Sequence, residues 1–415
     1  MKKYESYKDS SIHWWGAVPS HWDLLKAKHM FSLITESVSD SSLPKVALEN
    51  IESGTGRFIP TESDFMGEGV EFETDDILFG KLRPYLAKVY KAEFRGQSVG
   101  DIYVFRGHLK QTSGFLKYLL LSYPFISVVD GSTYGAKMPR ANWDFISHMI
   151  LPCPPKKEQE AIASYLDYKV GQIDVAIAEK EQMLEDLKNY RTAIISEAVT
   201  KGLDKNAEMK DSGIEWCGYI PCHWQVLKLG YVFQNLDYLR EPISSENRNR
   251  VDPQFDYYGA SGIIDKIDSY NVNDKVLLIA EDGANLVSRN LPLIYKAEGK
   301  FWVNNHAHIL KPIAADYDYM AYLLEVVDYT SYITGSAQPK LSQDKLSSVR
   351  LPIPPIEEQK SISSILNEKI PMIDISITEI ELGIEDLKTY RSAIISEAVT
   401  GKVDLRDWNV KQVNA

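Results

Sequence analysis

The chain has 415 residues, of which 44% are hydrophobic and 25% charged, the proportions of a soluble globular protein with enough chain for about three domains. Its formal net charge is −12, which excludes a uniformly basic nucleic-acid binder, because neutralising phosphates takes an excess of Lys and Arg. Three cysteines, Cys153, Cys217 and Cys222, form no disulfide framework, and Cys217, Cys222 and His223 lack the second ligand pair a zinc site needs, so no metal is expected.

The acid is unevenly spread: residues 1–150 carry −1 and residues 211–350 carry −5. A near-neutral first part leaves room for a local basic face. No apolar run reaches the roughly 18 residues of a membrane span, and MKKYESYKDSSIHWW at the start has no apolar signal-peptide core. A cytoplasmic protein without a membrane partner is expected.

In chain order, the first element is an aromatic turn, DSSIHWWGAVPSHW from Asp9 to Trp22, echoed as DSGIEWCGYIPCHW from Asp211 to Trp224. Gly and Pro set the bend and Trp seals it. His21 has no nucleophile or acid at a telling spacing, so a packing role is expected. From Leu24 to Leu151 short alternating apolar runs are punctuated by Gly, Pro and Asp, the pattern of strands, with a helix at Ser113 to Ser122 where Phe115, Leu116, Leu119 and Leu120 share a face. The same grammar returns in the second half, with strands in NDKVLLIAEDGANLVSR and FWVNNHAHIL and a helix in DYMAYLLEVV.

The polar loops of these two globular parts hold the candidate ligand contacts. In the first they are Lys81, Arg83, Tyr85 and Lys88, then Tyr134, Lys137 and Arg140 in GSTYGAKMPRANW. The second offers Asn285 and Arg289, Asn304, Asn305 and His306, and Gln338 and Lys340 in ITGSAQPKLSQDKL. For any one of them a solvated loop is the simpler reading, but as sets they are suited to phosphate and base contacts. These loops diverge where the helices match, which suits two readers of two different ligands.

Each globular part is followed by a helix, and here the chain repeats itself. Residues 151–200 and 351–400 align without gaps, with 29 of the 50 positions identical and a shared close, YRTAIISEAVT and YRSAIISEAVT. A repeat this long means a duplicated architecture. Pro154–Pro155 and Pro354–Pro355 precede the helices, where a missing N–H does no harm. A heptad seam follows through Leu166, Ile173, Ile177, Leu184, Leu187 and Ile194, and again through Leu366, Ile373, Ile377, Ile384, Leu387 and Ile394. Gly171 and Pro371 share a register position and predict a short helix, then a restart and a run of about 28 residues spanning about 42 Å. Gly202 and Gly401 are the expected stops. Antiparallel pairing of the two copies would make the helices a spacer that fixes a distance.

The expected fold is therefore α+β: two mixed α/β globular domains separated by two long antiparallel coiled-coil helices, with an internal pseudo-two-fold repeat. The domains are expected at 1–153 and 206–353, the helical regions at 154–205 and 354–404, and a tail at 405–415.

The aromatic G-x-V/I-P-x-H-W opening, variable domain, P-P-x-x-E-Q helix and Y-R-x-A-I-I-S-E-A-V-T close, all occurring twice, resemble the specificity subunit of type I restriction-modification systems, over nearly the whole chain. The resemblance implies that each variable domain is a target recognition domain for one half of a bipartite site in double-stranded DNA. It also implies that the helices set the unread spacer and dock two methyltransferase subunits, with restriction subunits joining a larger complex. Methylation of adenine at its N6 atom with S-adenosylmethionine, and ATP- and Mg2+-dependent cleavage, would then belong to the partners. This chain shows no methyltransferase, Walker A or H-E-x-x-H motif, so no catalytic residue and no cofactor of its own is expected. A coiled-coil scaffold whose two domains bind proteins is the alternative that the acidic charge favours.

Overall fold

The computed structural model describes residues 2–38, 42–61, 65, 67–133, 137–246, 248, 254–335 and 338–408. The chain forms two compact units, one of residues Met1–Glu181 with Leu382–Ala415 and the other of Gln182–Glu381. Both boundaries fall inside long helices. Each unit therefore contains one globular part, the first portion of the helix that follows it, and the last portion of the other long helix.

In the first unit the aromatic turn opens with Tyr7–Asp9 paired antiparallel to Ala17–Pro19, and Asp23–Lys26 pairs antiparallel with Ile150–Cys153, so the two ends of the globular part lie side by side. Between them stand two four-stranded sheets. One runs Phe31–Ile34, Ile102–Gly107, Ile77–Gly80, Val89–Lys91, all antiparallel. The other runs Ser37–Val38, Gly69–Phe72, Gly96–Ser98, Lys45–Val46, with the last pair parallel. Their shared core holds Val46, Phe72, Leu78, Tyr90, Ile102 and Val104.

The second unit keeps the frame and changes the sheet. Met209–Asp211 pairs with Tyr219–Pro221, and Gln225–Lys228 pairs with Arg350–Ile353. In place of two sheets there is one of six strands, ordered Phe233–Asn235, Ala307–Pro312, Val272–Ala280, Ile294–Val303, Phe255–Gly259, Gly262–Ile267. The expected helices lie at Ser113–Leu121 and Tyr317–Val326, and each buries its apolar face.

Each long helix is continuous, over Lys156–Lys201 (46 residues) and Ile356–Val399 (44 residues). The expected break at Gly171 and Pro371 is absent, and the 42 Å run that rested on it goes with it. Proline in a helix interior costs about 3 kcal/mol. Pro371 is exposed, so water can reach the carbonyl left without a partner. Buried Leu366 and Ile370 precede it, each contributing about 2 kcal/mol of burial, and Ile373 packs against the same core. Tertiary packing outweighs local preference. The stops are as expected: Gly202 and Gly401 have φ of 72° and 71°, and the Lys402 N–H closes on the Glu397 carbonyl at 2.9 Å. The Lys–Gly swap between TKGLD and TGKVD moves the stop by one residue.

Within each unit the helix portions pair antiparallel. In the first unit Arg391 Nε donates to Asp174 at 2.8 Å, while Lys180 lies beside Gly383. In the second, Arg191 Nε donates to Asp374 at 2.7 Å, while Lys188 meets Glu381 at 3.0 Å. The two arginine–aspartate pairs are one contact made twice, 200 positions apart. All twelve seam residues are buried or half-buried.

Candidate nucleic-acid interface

The part repeated in both units is a mount. Glu158 accepts hydrogen bonds from His21 at 2.8 Å, Trp22 at 2.9 Å and the Tyr4 hydroxyl; Glu358 accepts from His223 at 2.8 Å and Trp224 at 3.1 Å. Each of these Trp side chains is fully buried. The next residue ties the helix to the globular part. Gln159 accepts from the Thr112 N–H at 2.9 Å, ahead of the helix at Ser113, and Gln359 accepts from the Asp316 N–H at 2.9 Å, ahead of the helix at Tyr317. Both amides also donate 2.9 Å bonds to the prolines that start the motif, Pro154 and Pro354. The E-Q of the repeated motif thus fixes the helix to two separate places on its globular part, and His21 belongs to that packing.

On this mount each unit carries a pair of loops joined by the same backbone bonds. In the first, the Arg83 N–H donates to Pro139 at 2.8 Å and the Ala141 N–H to Lys81 at 2.8 Å. In the second, the Gly283 N–H donates to Pro339 at 3.0 Å and the Leu341 N–H to Glu281 at 2.7 Å. Position 83 has φ 50° and position 283 has φ 105°. The left-handed conformation costs nothing at Gly283 but about 1–2 kcal/mol at Arg83.

The side chains on these frames differ. In the first unit Arg140 donates to both carboxylate oxygens of Asp101, at 3.1 and 2.9 Å, and Lys81 lies 3.7 Å from the same carboxylate and over the Tyr103 ring. The Arg140 hydrogen bond and charge hold the Asp101 carboxyl below its usual range. Arg83, Tyr85 and Lys137 are exposed, and Arg83 and Lys137 have no side-chain partner among the described residues. Lys88 is not presented to a ligand: its ammonium donates to the Leu48 and Ile51 carbonyls at 2.6 and 2.8 Å. Tyr134 lies outside the described residues.

In the second unit Lys340 meets Glu281 at 3.0 Å and is half-exposed. His306 contacts Asp282 at 2.8 Å, and Asn305 and Gln338 are exposed. Three candidates are internal struts. Asn285 ties its loop to Leu291, donating at 3.1 Å and accepting at 2.8 Å. Arg289 donates to the Glu325 and Val327 carbonyls, satisfying the open end of the helix Tyr317–Val326. Asn304 is buried and accepts from the His306 N–H at 2.8 Å. Sequence alone gave these three polar residues no visible internal partner, so they read as free.

Beneath Lys340 runs a charged chain that sequence reasoning missed. Arg240 contacts both Glu281 and Asp237, and Asp237 accepts from fully buried His308 at 2.5 Å and from the Ile309 N–H at 2.8 Å. The other His308 nitrogen faces the Leu341 carbonyl at 2.8 Å, so this chain supports the Lys340–Leu341 loop from below. Burial pushes the Asp237 carboxyl up, but the His308 hydrogen bond and charge outweigh it and hold the pKa below the usual range. A lowered folded pKa stabilises above the ordinary carboxylate range, and that stability disappears as pH falls through the lowered value. Asp237→Asn should therefore cost about 3 kcal/mol near neutral pH and shrink the acid limb of a stability-versus-pH curve; an unchanged limb would show that Asp237 does not support the loop.

The fold and the paired loops define a duplicated architecture: two divergent loop pairs, each on its copy of a repeated helical frame. Comparison with known proteins agrees. Residues 221–385 match the family model described as the type I restriction modification DNA specificity domain. The MjaVIII type I restriction enzyme specificity subunit of Methanocaldococcus jannaschii is 22% identical over 439 residues, covering 94% of this chain and 95% of that one. A putative specificity subunit of Haemophilus influenzae is 33% identical over 129 residues, a match spanning 32% of its length. The fold is shared with a chain from a structure of type I restriction-modification complex assembly, with a TM-score of 0.70 at 15% identity, over 93% of this chain and 99% of that one. The chain is therefore similar over nearly its whole length to specificity subunits of type I restriction-modification systems, and residues 221–385 match their DNA specificity domain.

Proposed function

We propose that this chain selects the DNA target of a type I restriction-modification complex, each unit reading one half of a bipartite site in double-stranded DNA. The observation that carries this is the pairing of an unchanged mount with changed loops. Glu158 and Glu358, Gln159 and Gln359, and the two arginine–aspartate pairs repeat across 200 positions, while the loop residues at 81 and 281, and at 140 and 340, differ in chemistry. The alternative, a coiled-coil scaffold whose two domains bind proteins, is not favoured by the similarity to type I restriction enzyme specificity subunits and their DNA specificity domain.

On this reading the loops supply phosphate and base contacts, and the long helices carry two methyltransferase subunits, with restriction subunits joining the larger assembly. The chain performs no chemistry; S-adenosylmethionine, ATP and Mg2+ belong to the partners. No described helix is long and apolar enough to cross a membrane, in keeping with a place beside cytoplasmic DNA. The test is a methylation map of a genome in cells carrying the intact system. A single motif of two specified halves around an unspecified spacer is expected, and methylation without such a motif would refute the proposal.

A further inference from the structure

Arg140 is gripped along one edge only. Its Nε and Nη2 atoms donate to the two oxygens of Asp101 at 3.1 and 2.9 Å, the side chain is 50% exposed, and Nη1 has no partner among the described residues. The loops do not depend on this ion pair, because the backbone bonds of Arg83 to Pro139 and Ala141 to Lys81 already join them. The second unit keeps the equivalent two bonds while taking its acid from a different position, Glu281 in place of Asp101. What both units retain is a cation at 140 or 340 steered by a carboxylate.

We propose that Arg140 is a base-reading residue, Asp101 holding its Nε edge so that the Nη1–Nη2 edge meets O6 and N7 of a guanine in the major groove. This rests on the reading that the first unit binds double-stranded DNA, and it assigns one base pair of that half-site. A planar fork with one edge anchored has a fixed direction and a free pair of parallel donors, which is the geometry guanine's two major-groove acceptors require. Lys81, 3.7 Å from the same carboxylate, leaves the group of three with one net positive charge, so the anchoring acid does not repel the DNA. Lys340 carries a single ammonium held by Glu281, without a fork, so the second unit does not read its half-site through the same contact.

The complex containing this chain is prepared with the wild-type sequence and with Arg140→Ala, Arg140→Lys and Asp101→Asn, and each is used to select bound sequences from a randomised duplex library. The wild type is expected to select a bipartite motif with a G·C pair in one half. Arg140→Ala and Arg140→Lys are expected to lose discrimination at that pair by roughly 5- to 150-fold, with every other position unchanged. Asp101→Asn is expected to relax the same pair by less, an effect no phosphate contact produces. Uniform weakening for all sequences, with a salt slope lower by about one, would make Arg140 a phosphate contact and overturn the assignment. An unchanged motif in both Arg140 variants would reduce the ion pair to a loop strut. A wild-type complex that selects no motif would remove the DNA reading itself, and the assignment with it. Where Arg140→Ala fails to fold, Arg140→Lys, which keeps the charge and loses the fork, decides between base and phosphate.

Discussion

Arg391→Ala is expected to destabilise the first unit by about 3–5 kcal/mol, the loss seen when one partner is removed from a buried ion pair. Arg391 is buried and serves three acceptors at once: Asp174 at 2.8 Å and the carbonyls of Gly54 and Thr55 at 2.6 and 2.8 Å. Truncation leaves a carboxylate that is only 15% exposed without its counter-charge, and two carbonyls without a donor. The equivalent change in the other unit, Arg191→Ala, should cost about 1–2 kcal/mol, because its partners Asp374 and Glu325 are 49% and 29% exposed and water can replace the guanidinium. Urea unfolding with hydrogen exchange on the segment around Gly54 separates the two cases. Equal losses in the two variants would show that burial does not set the strength of this pair. Arg391→Ala with Asp174→Ala should recover part of the loss, since the orphaned charge goes with the second change.

The arginine–aspartate contact also shows how far the sequence can be read. Its two halves are 217 positions apart in the first unit, and no local pattern joins them. What the sequence does offer is identity between the copies: an arginine in the apolar seam at Arg191 and Arg391, and an acid beside the seam at Asp174 and Asp374. The duplication, the seam, the sealed aromatic turns and the glycine stops were legible because each is local or repeated. The continuity of the helices was not, because Pro371 obeys the packing of Leu366 and Ile370 rather than its own preference. Nor was the change from two four-stranded sheets to one of six, since strand pairing is long-range. Among the candidate contacts, chemistry alone could not separate Arg140, which is displayed, from Lys88, Asn285 and Arg289, which are consumed by nearby backbone groups. The positive φ shared by Arg83 and Gly283 had a sequence signal only in the glycine.

The second large effect is expected at Gly401, where the second helix ends against the opening turn of the first unit. Gly401 has φ 71°, and a Cβ built there would overlap the Pro19 ring and stand 3.0 Å from the Trp22 side chain. Gly401→Ala therefore combines a left-handed backbone cost of about 1–2 kcal/mol with an overpacking cost of about 1–3 kcal/mol, for a total of roughly 2–5 kcal/mol. Neither collision is easily relieved, because the proline ring is rigid and Trp22 is fully buried, with its ring N–H held by Glu158 at 2.9 Å. Gly202→Ala should cost less. Its φ is a similar 72°, but the nearest atom to the new methyl is a Glu358 carboxylate oxygen at 2.9 Å, with Trp224 at 3.2 Å and the Pro221 ring as far as 3.9 Å, so the overlap is smaller than that with the Pro19 ring at Gly401. Downstream of Gly401 the chain continues across the same unit, with Trp408 edge-on to Tyr165 at 5.0 Å and the Asp404 N–H donating to Lys2 at 2.9 Å. Displacing the helix end should therefore free residues 402–408 for proteolysis before the rest of the unit unfolds. Limited digestion with mass analysis of the fragments, alongside thermal unfolding of both variants, tests this; a Gly401→Ala chain as stable and as resistant as the wild type would mean that the helix end is not seated on Trp22.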